Sequence, residues 1–356
     1  MAAVVLQIRA YREQANMSQE DLGSQIGVTR QTIAAWEKGE RAPSLEQLSR
    51  ISRTLSTPLD LFLGEVDDAG SALLFRADNP ECLSPELRAL LARKAQDYAS
   101  VEKMTGELSA LPPSHNLEGY DPLTSETMGR EIRDWLGVEH APLGDVLSLL
   151  ENKGIKVILH PLPNEVSGFS AYTEEMGGVI FVNADHPTER KYFTAMHELG
   201  HLIFHRREYG KASSGKDRAK ESAVNHFAGS VLMPRNVVEK ELKSYHRQWI
   251  PLPLLQDLKR RYQMSMRAIL IRAHQVGVLL PSQKREQYSA LDKKFGPMDE
   301  EPVLPPPETL HRLERLVYQA LLKEEITTSR AAEILGKPLV EVRHKLQDWL
   351  EEGAES

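Results

Sequence analysis

The run FTAMHELGHLIFH occupies residues 193–205 and reads as an amphipathic helix. Four residues on a helix advance about 400°. His197 and His201 therefore project from one face, about 6 Å apart along the axis. Two imidazoles at that spacing suit a single zinc ion. Glu198 sits beside the first histidine, where its carboxylate can reach a water on the same metal and take its proton. A His-Glu pair followed two residues later by a second His on a helix is the arrangement that zinc peptidases use.

Three strand-like runs lie upstream: IKVILH (155–160), SGFSAYT (167–173) and GVIFVN (178–183), all rich in β-branched and aromatic residues. Helices are expected around Ser125–Leu136 and Leu143–Lys153, and again through most of the stretch that ends at Val278. Residues 123–280 thus read as one mixed domain. The whole chain reads as α+β and mostly helical, with a small sheet and active-site helices in the centre. The run at 167–173 is as good a candidate for a peptide-pairing edge strand as for an internal one. A catalytic zinc needs a third protein ligand. His205 is nearest in sequence, but it lies about 12 Å from His197 along a helix axis, too far to share one ion. The third ligand is expected on the next helix, with Asp217, Glu221 and His226 as candidates. Tyr172, His205 and His226 are also candidate oxyanion donors or outer neighbours, although a structural role is the plainer reading of each.

The N-terminal residues 1–64 are patterned as short helices. Ser18 and Thr29 are helix N-cap candidates, and Glu20 and Asp21 suit a first turn. Leu22, Ile26, Ile33 and Trp36 face inward. Gly27 permits a tight turn, Gly39 ends the second helix, and Pro43-Ser44 starts a third. Two helices around a Gly-containing turn form a helix-turn-helix whose second helix lies in a DNA major groove. Its exposed N-terminal residues are Thr29, Arg30, Gln31 and Thr32. Arg forks onto guanine and Gln onto adenine. Gln19 is placed to touch a phosphate or to brace the recognition helix.

This N-terminal run resembles the Cro/lambda-repressor-type (XRE) helix-turn-helix family over about residues 6–64. The matching residues are Ser18-Gln19-Glu20-Asp21-Leu22, Gly27-Val28-Thr29, Ile33-Ala34-Ala35-Trp36-Glu37-Lys38-Gly39 and Pro43-Ser44. Over roughly residues 123–278 the chain resembles the ImmA/IrrE family of zinc peptidases. That match rests on Ser167-Gly168-Phe169-Ser170, Val179-Ile180-Phe181-Val182-Asn183, His197-Glu198-Leu199-Gly200-His201, and Glu221-Ser222-Ala223-Val224-Asn225-His226-Phe227-Ala228 with Leu232-Met233-Pro234. Val224 departs from the Ala usual in the family. The second resemblance implies that Zn2+ is held by His197, His201 and Glu221, with Glu198 as general base. Together the two imply a DNA-binding regulator that cleaves an XRE-type repressor, in a stress, mobile-element or toxin–antitoxin setting. The alternatives are a transcription factor whose peptidase-like domain senses a ligand, or one component of a toxin–antitoxin pair. The intact Glu198 favours the enzyme.

Composition bounds these readings. The 356 residues include 44 Lys and Arg against 51 Asp and Glu, for a net charge of −7. That disfavours a whole-chain polyanion binder but allows a small basic face. The reader's own charges are nearly balanced, so binding to a double-stranded operator calls for a homodimer. Cys82 is alone, which excludes an intrachain disulfide and a thiolate zinc cluster. No apolar run is long enough to cross a bilayer, and MAAVVLQIRAYREQ lacks the marks of a signal peptide. A cytoplasmic protein with no membrane partner is expected. Outside the two domains, residues 65–122 read as a helical spacer and linker, with one helix over Leu83–Glu107 started by Ser84-Pro85. Residues 281–307, ending in PVLPPP, read as a Pro-rich linker. Residues 308–356 read as a helical dimerisation or partner-docking tail, and the linker would tether that tail near the peptidase.

Overall fold

Side-chain caps and prolines at helix starts set many of the element boundaries. The structure is a computed structural model that describes residues 8–9, 11–12, 15, 17–55, 75–77, 82–108, 111–115, 117, 119–209, 217–296 and 300–354. Helices α1 (Gln19–Ile26), α2 (Arg30–Glu37) and α3 (Leu45–Thr54) come first, then strand β1 (Phe75–Ala77) and the long helix α4 (Pro85–Thr105). Helices α5 (Pro122–Leu136) and α6 (Val146–Asn152) lead into strands β2 (Lys156–His160), β3 (Gly168–Thr173) and β4 (Gly177–Asn183). The remainder is helical: α7 (Thr188–Phe204), α8 (Arg218–Leu232), α9 (Arg235–Glu241), α10 (Leu252–Tyr262), α11 (Met266–Gln275), α12 (Pro281–Phe295), α13 (Arg312–Leu322), α14 (Thr328–Leu335) and α15 (Leu339–Ala354). The chain is mostly helical with one small sheet, in line with the sequence reading. Residues 56–64 of the expected reader, and most of the loose stretch after them, lie outside the described residues.

The described residues fall into two compact units. One holds the described residues of 8–55 with Leu83–Glu107 and residues 312–354; the other holds residues 75–77 and Cys82 with the described residues of Leu108–His311. In the first, Ser18 and Asp21 cap α1 reciprocally, Thr29 caps α2, and Ser44 and Gln47 cap α3. Gly27 takes the left-handed conformation at the turn, with φ 78°. Ile8, Leu22, Ile26, Ile33, Trp36, Leu48, Ile51 and Leu55 form the core beneath these helices. Helix α4 starts at Pro85 under a Ser84 cap. The tail helices dock along α4 through charge: Arg93 pairs with Glu333, Asp97 with Arg330, Glu102 with Arg312 at 2.5 Å, and Glu107 with Arg315 at 2.6 Å. The spacer helix and the tail, which the sequence reading keeps apart, therefore belong to one unit.

In the second unit the strand order is β1-β3-β4-β2. Strands β2 and β4 run parallel, and β3 is antiparallel to β4. Strand β1, inside the stretch read as loose linker, pairs antiparallel with β3. The expected linker 281–307 also differs from the structure, because residues 281–295 are helix α12. Pro281 begins the helix, Gln283 accepts from the Leu280 amide at 3.0 Å, and Gln287 and Leu291 are buried. Its charged residues sit on the exposed face and hid those inward positions. The Pro-rich part that follows is anchored. Glu300 is buried and accepts from Lys259, Arg267 and two amides at the start of α11, while the Pro305 carbonyl accepts from Thr188 Oγ1 at 2.7 Å. It is therefore a pinned strap rather than a flexible tether.

Candidate metal centre and DNA-reading face

Helix α7 carries His197 and His201 on one face, and α8 brings Glu221 across to them. Gly200 makes that approach close: a Cβ there would lie 2.5 Å from Val224 Cγ1 and 2.9 Å from Phe227 Cδ1 on α8. His197 Nε2 and His201 Nε2 are 3.0 Å apart. Glu221 Oε2 lies 3.4 Å from the first and Oε1 lies 3.5 Å from the second. A tetrahedral ion with bonds of about 2.05 Å separates its ligands by about 3.3 Å. The three edges bracket that value, and two imidazoles with a carboxylate are a donor set that zinc accepts. These side chains fit the ion. Asp217, the other acidic candidate, instead caps α8 by accepting from the amides of Ala219 and Lys220.

Each histidine is oriented from behind. His197 Nδ1 lies 3.0 Å from Asn225 Oδ1, one helical turn after Glu221. Because that oxygen only accepts, Nδ1 carries the proton and the Nε2 lone pair points to the centre. His201 Nδ1 lies 3.1 Å from His205 Nδ1, so His205 braces a candidate ligand rather than the reacting groups. Glu198 is buried, and Ser170 Oγ on β3 donates to its Oε2 at 2.6 Å. Tyr209 OH lies 2.7 Å from the same hydroxyl. With the serine proton given to Glu198, the tyrosine donates, and the chain runs Tyr209 to Ser170 to Glu198.

One expected donor lies elsewhere. Both ring nitrogens of His226 are engaged, Nδ1 by Tyr120 OH at 2.8 Å and Nε2 by Glu126 at 2.9 Å. One residue past Asn225 on α8, the ring turns about 100° from the metal-facing side. It joins a buried junction of α5, α8 and α11 with Glu126 and Arg272, which pair at 2.6 Å. Burial pushes the Glu126 carboxyl up, but hydrogen bonds from His226 and Arg272 and the Arg272 charge outweigh it and hold the group at about 2. Tyr172 packs edge-on to Tyr209 and under Arg206. Sequence reasoning assigns no role to Ser170, Tyr209, Glu126, Arg272 or Asn225. Ser170 and Asn225 stood inside quoted motifs, so a signal existed; Tyr209 had none.

On the reader, Arg30 and Gln31 are exposed at the start of α2. Thr29 and Thr32 spend their hydroxyls on each other, 2.9 Å apart, and on the helix cap. Gln19 Nε2 donates to Glu37 at 2.8 Å, and Glu37 pairs with Arg12 at 2.6 Å. Gln19 therefore braces the far end of α2.

Comparison with known proteins agrees with this division. The family model Peptidase_M78, described as an IrrE N-terminal-like domain, matches residues 150–274. The helix-turn-helix model HTH_3 matches residues 8–62. An HTH-type transcriptional regulator of Methanothermobacter thermautotrophicus is 44% identical over 64 residues, 17% of this chain and 93% of that protein. One from Methanocaldococcus jannaschii is 40% identical over 62 residues, 17% of this chain and 94% of its own length. Among solved structures, Bacillus thuringiensis PlcR in complex with the peptide PapR7 and DNA aligns over 99% of both chains at 13% identity. Its TM-score is 0.20, and that likeness carries no argument.

Proposed function

This chain belongs to the helix-turn-helix transcriptional regulators and carries an IrrE-type Peptidase_M78 domain, and from that premise we propose that it is a DNA-bound regulator with zinc-dependent endopeptidase activity. The observation that carries the reading is the triangle of His197, His201 and Glu221, whose edges of 3.0–3.5 Å match a tetrahedral zinc. Zinc held there supplies Lewis-acid polarisation of water and of a peptide carbonyl. Glu198 is the proton acceptor. Ser170 fixes its carboxylate, and Asn225 and His205 hold the two imidazoles in register. The substrate class is an XRE-type repressor, in a stress, mobile-element or toxin–antitoxin setting. The reader binds a palindromic operator as a dimer, with recognition helices about 34 Å apart.

One experiment tests the enzyme. The purified chain is loaded with zinc, analysed for metal, and incubated with an XRE-type repressor. We expect about one zinc per chain, lost in Glu221→Ala. Glu198→Gln keeps the metal and loses cleavage. Full zinc in Glu221→Ala would remove that residue from the ligand set, and cleavage by Glu198→Gln would remove the proposed base.

A further inference from the structure

We propose that the peptide ligand of the metal centre is the chain's own segment Phe75–Ala77, and that the chain hydrolyses itself there; this rests on the peptidase reading above. Strand β3 is the part of the sheet that reaches the site, since Ser170 donates to Glu198 at 2.6 Å. One edge of β3 is taken by β4 and the other by β1. An extended peptide laid antiparallel on a sheet edge is a common mode of peptide binding, with main-chain hydrogen bonds giving affinity. Here a piece of the same chain fills that position. Phe75 stands opposite Ala171, Arg76 opposite Ser170, and Ala77 opposite Phe169. The middle pair sets Arg76 across from the residue that touches the base. The two peptide bonds flanking Arg76 are therefore the ones the register brings to Glu198.

Strand β1 has the character of a bound peptide. It has three residues against six in β3, and a usual strand has about five or six. Among the described residues its outer side carries no further strand. Three register pairs on one side hold it to β3 by a short ladder. The segment also lies between the reader helices α1–α3 and helix α4, so a cut there parts the DNA reader covalently from the metal unit.

The step balances as hydrolysis. Water adds across the peptide bond, a C–O bond forms and the C–N bond breaks. Glu198 takes a proton from the water and passes it to the leaving nitrogen. The products are a new α-carboxylate on the reader fragment and a new α-amine on the fragment that bears the metal site. Water is the one co-reactant.

The test compares three zinc-loaded full-length proteins: the wild type, Glu198→Gln, and a triple variant with Phe75→Gly, Arg76→Ser and Ala77→Gly. Each is followed by intact mass and N-terminal sequencing, alone and with a library of short proteome-derived peptides. We expect wild type to split beside Arg76 at a rate constant independent of protein concentration, and Glu198→Gln to stay whole. The triple variant should resist that cut yet cleave the library at least as fast as wild type, because the β3 edge is less firmly occupied. A wild-type chain that stays whole, or is cut elsewhere, while the same sample cleaves the library would overturn self-hydrolysis and leave the peptidase reading standing. Slower library cleavage by the triple variant would make β1 a support of the site and overturn the proposal as well. A whole chain with an untouched library removes both readings.

Discussion

An alanine at Gly200 is expected to loosen the metal centre without altering any of its ligands. The added methyl would lie 2.5 Å from Val224 Cγ1 and 2.9 Å from Phe227 Cδ1. Carbon atoms settle about 3.5–4 Å apart, so the two surfaces must part by about 1 Å. Val224 is β-branched and nearly fixed in one rotamer on a helix, and both neighbours are fully buried. The strain therefore goes into the spacing of α7 and α8. Overpacking of this kind costs about 1–3 kcal/mol, and replacing a helical Gly by Ala returns about 1 kcal/mol. The net loss of stability is about 0–2 kcal/mol, and the fold should survive.

The ligand set is less tolerant. His197 and His201 stand on α7, whereas Glu221 stands on α8 one turn before Val224. Ligand distances must hold to about 0.2 Å, so a withdrawal of about 1 Å takes Glu221 out of range. Even the loss of a ligand's outer partner costs 10–100-fold in affinity, so zinc binding should weaken by at least about 100-fold. The assay is a chelator-competition titration beside a thermal melt. Adding Val224→Ala to Gly200→Ala removes the nearest clashing atom and should restore most of the affinity. Wild-type zinc affinity in Gly200→Ala would refute the claim that this contact sets the position of Glu221.

Three further predictions concern other parts of the molecule. The Glu126 carboxyl is depressed to about 2 in the fold, so its contribution is fully present above about pH 4.5 and is lost as pH falls from there towards 2. It is worth up to about 3 kcal/mol, and the melting-temperature gap between wild type and Glu126→Gln should close across that window; a gap that ignores pH would contradict the assignment. Ser170→Ala should keep zinc affinity and slow peptide-library cleavage about tenfold or more, since it removes a hydrogen bond to a buried carboxylate; unchanged turnover would make Ser170 a packing residue. Arg30→Ala and Gln31→Ala should each cost about 1–3 kcal/mol at particular operator bases, and a uniform loss over all sequences would move them to phosphate contact.

Local patterns were legible in the sequence and non-local ones were not. The placement of His197 beside His201 follows from one turn of helix, and the turn at Gly27 from its conformational freedom. Both need only residues within a few positions of each other. Glu221 is different. Spacing alone left it level with Asp217 and His226, and the family resemblance separated them. What distinguishes the three physically is the crossing of α7 and α8 at Gly200, a contact between residues more than twenty positions apart. His226 misled because a buried histidine near a candidate site reads the same whether it faces the metal or the Glu126–Arg272 pair. Residues 281–295 misled because Lys, Arg and Glu dominate the count while Gln287 and Leu291 carry the packing. Tyr209 follows α7 without any pattern of its own, and only the fold sets it on Ser170.

The restraint on such a peptidase can then be sought in a specific place. The sequence reading puts a dimerisation or partner-docking tail near the peptidase on a flexible linker. Several charged residues of that tail are engaged within their own unit. Arg312 and Arg330 pair with Glu102 and Asp97 of α4, Arg315 pairs with Glu107 just past its end, all within their own unit, and the stretch before them is pinned by Glu300 and Thr188. Strand β1 remains, three residues long, on the edge of β3 and in register with the serine that holds Glu198. An incoming peptide meets an edge already paired and must displace three ladder pairs to lie there. Partners with a docking site of their own can supply that difference in binding energy, and short generic peptides compete for the edge less well. Selectivity then needs no separate gate, and it should weaken in any variant that empties the β3 edge.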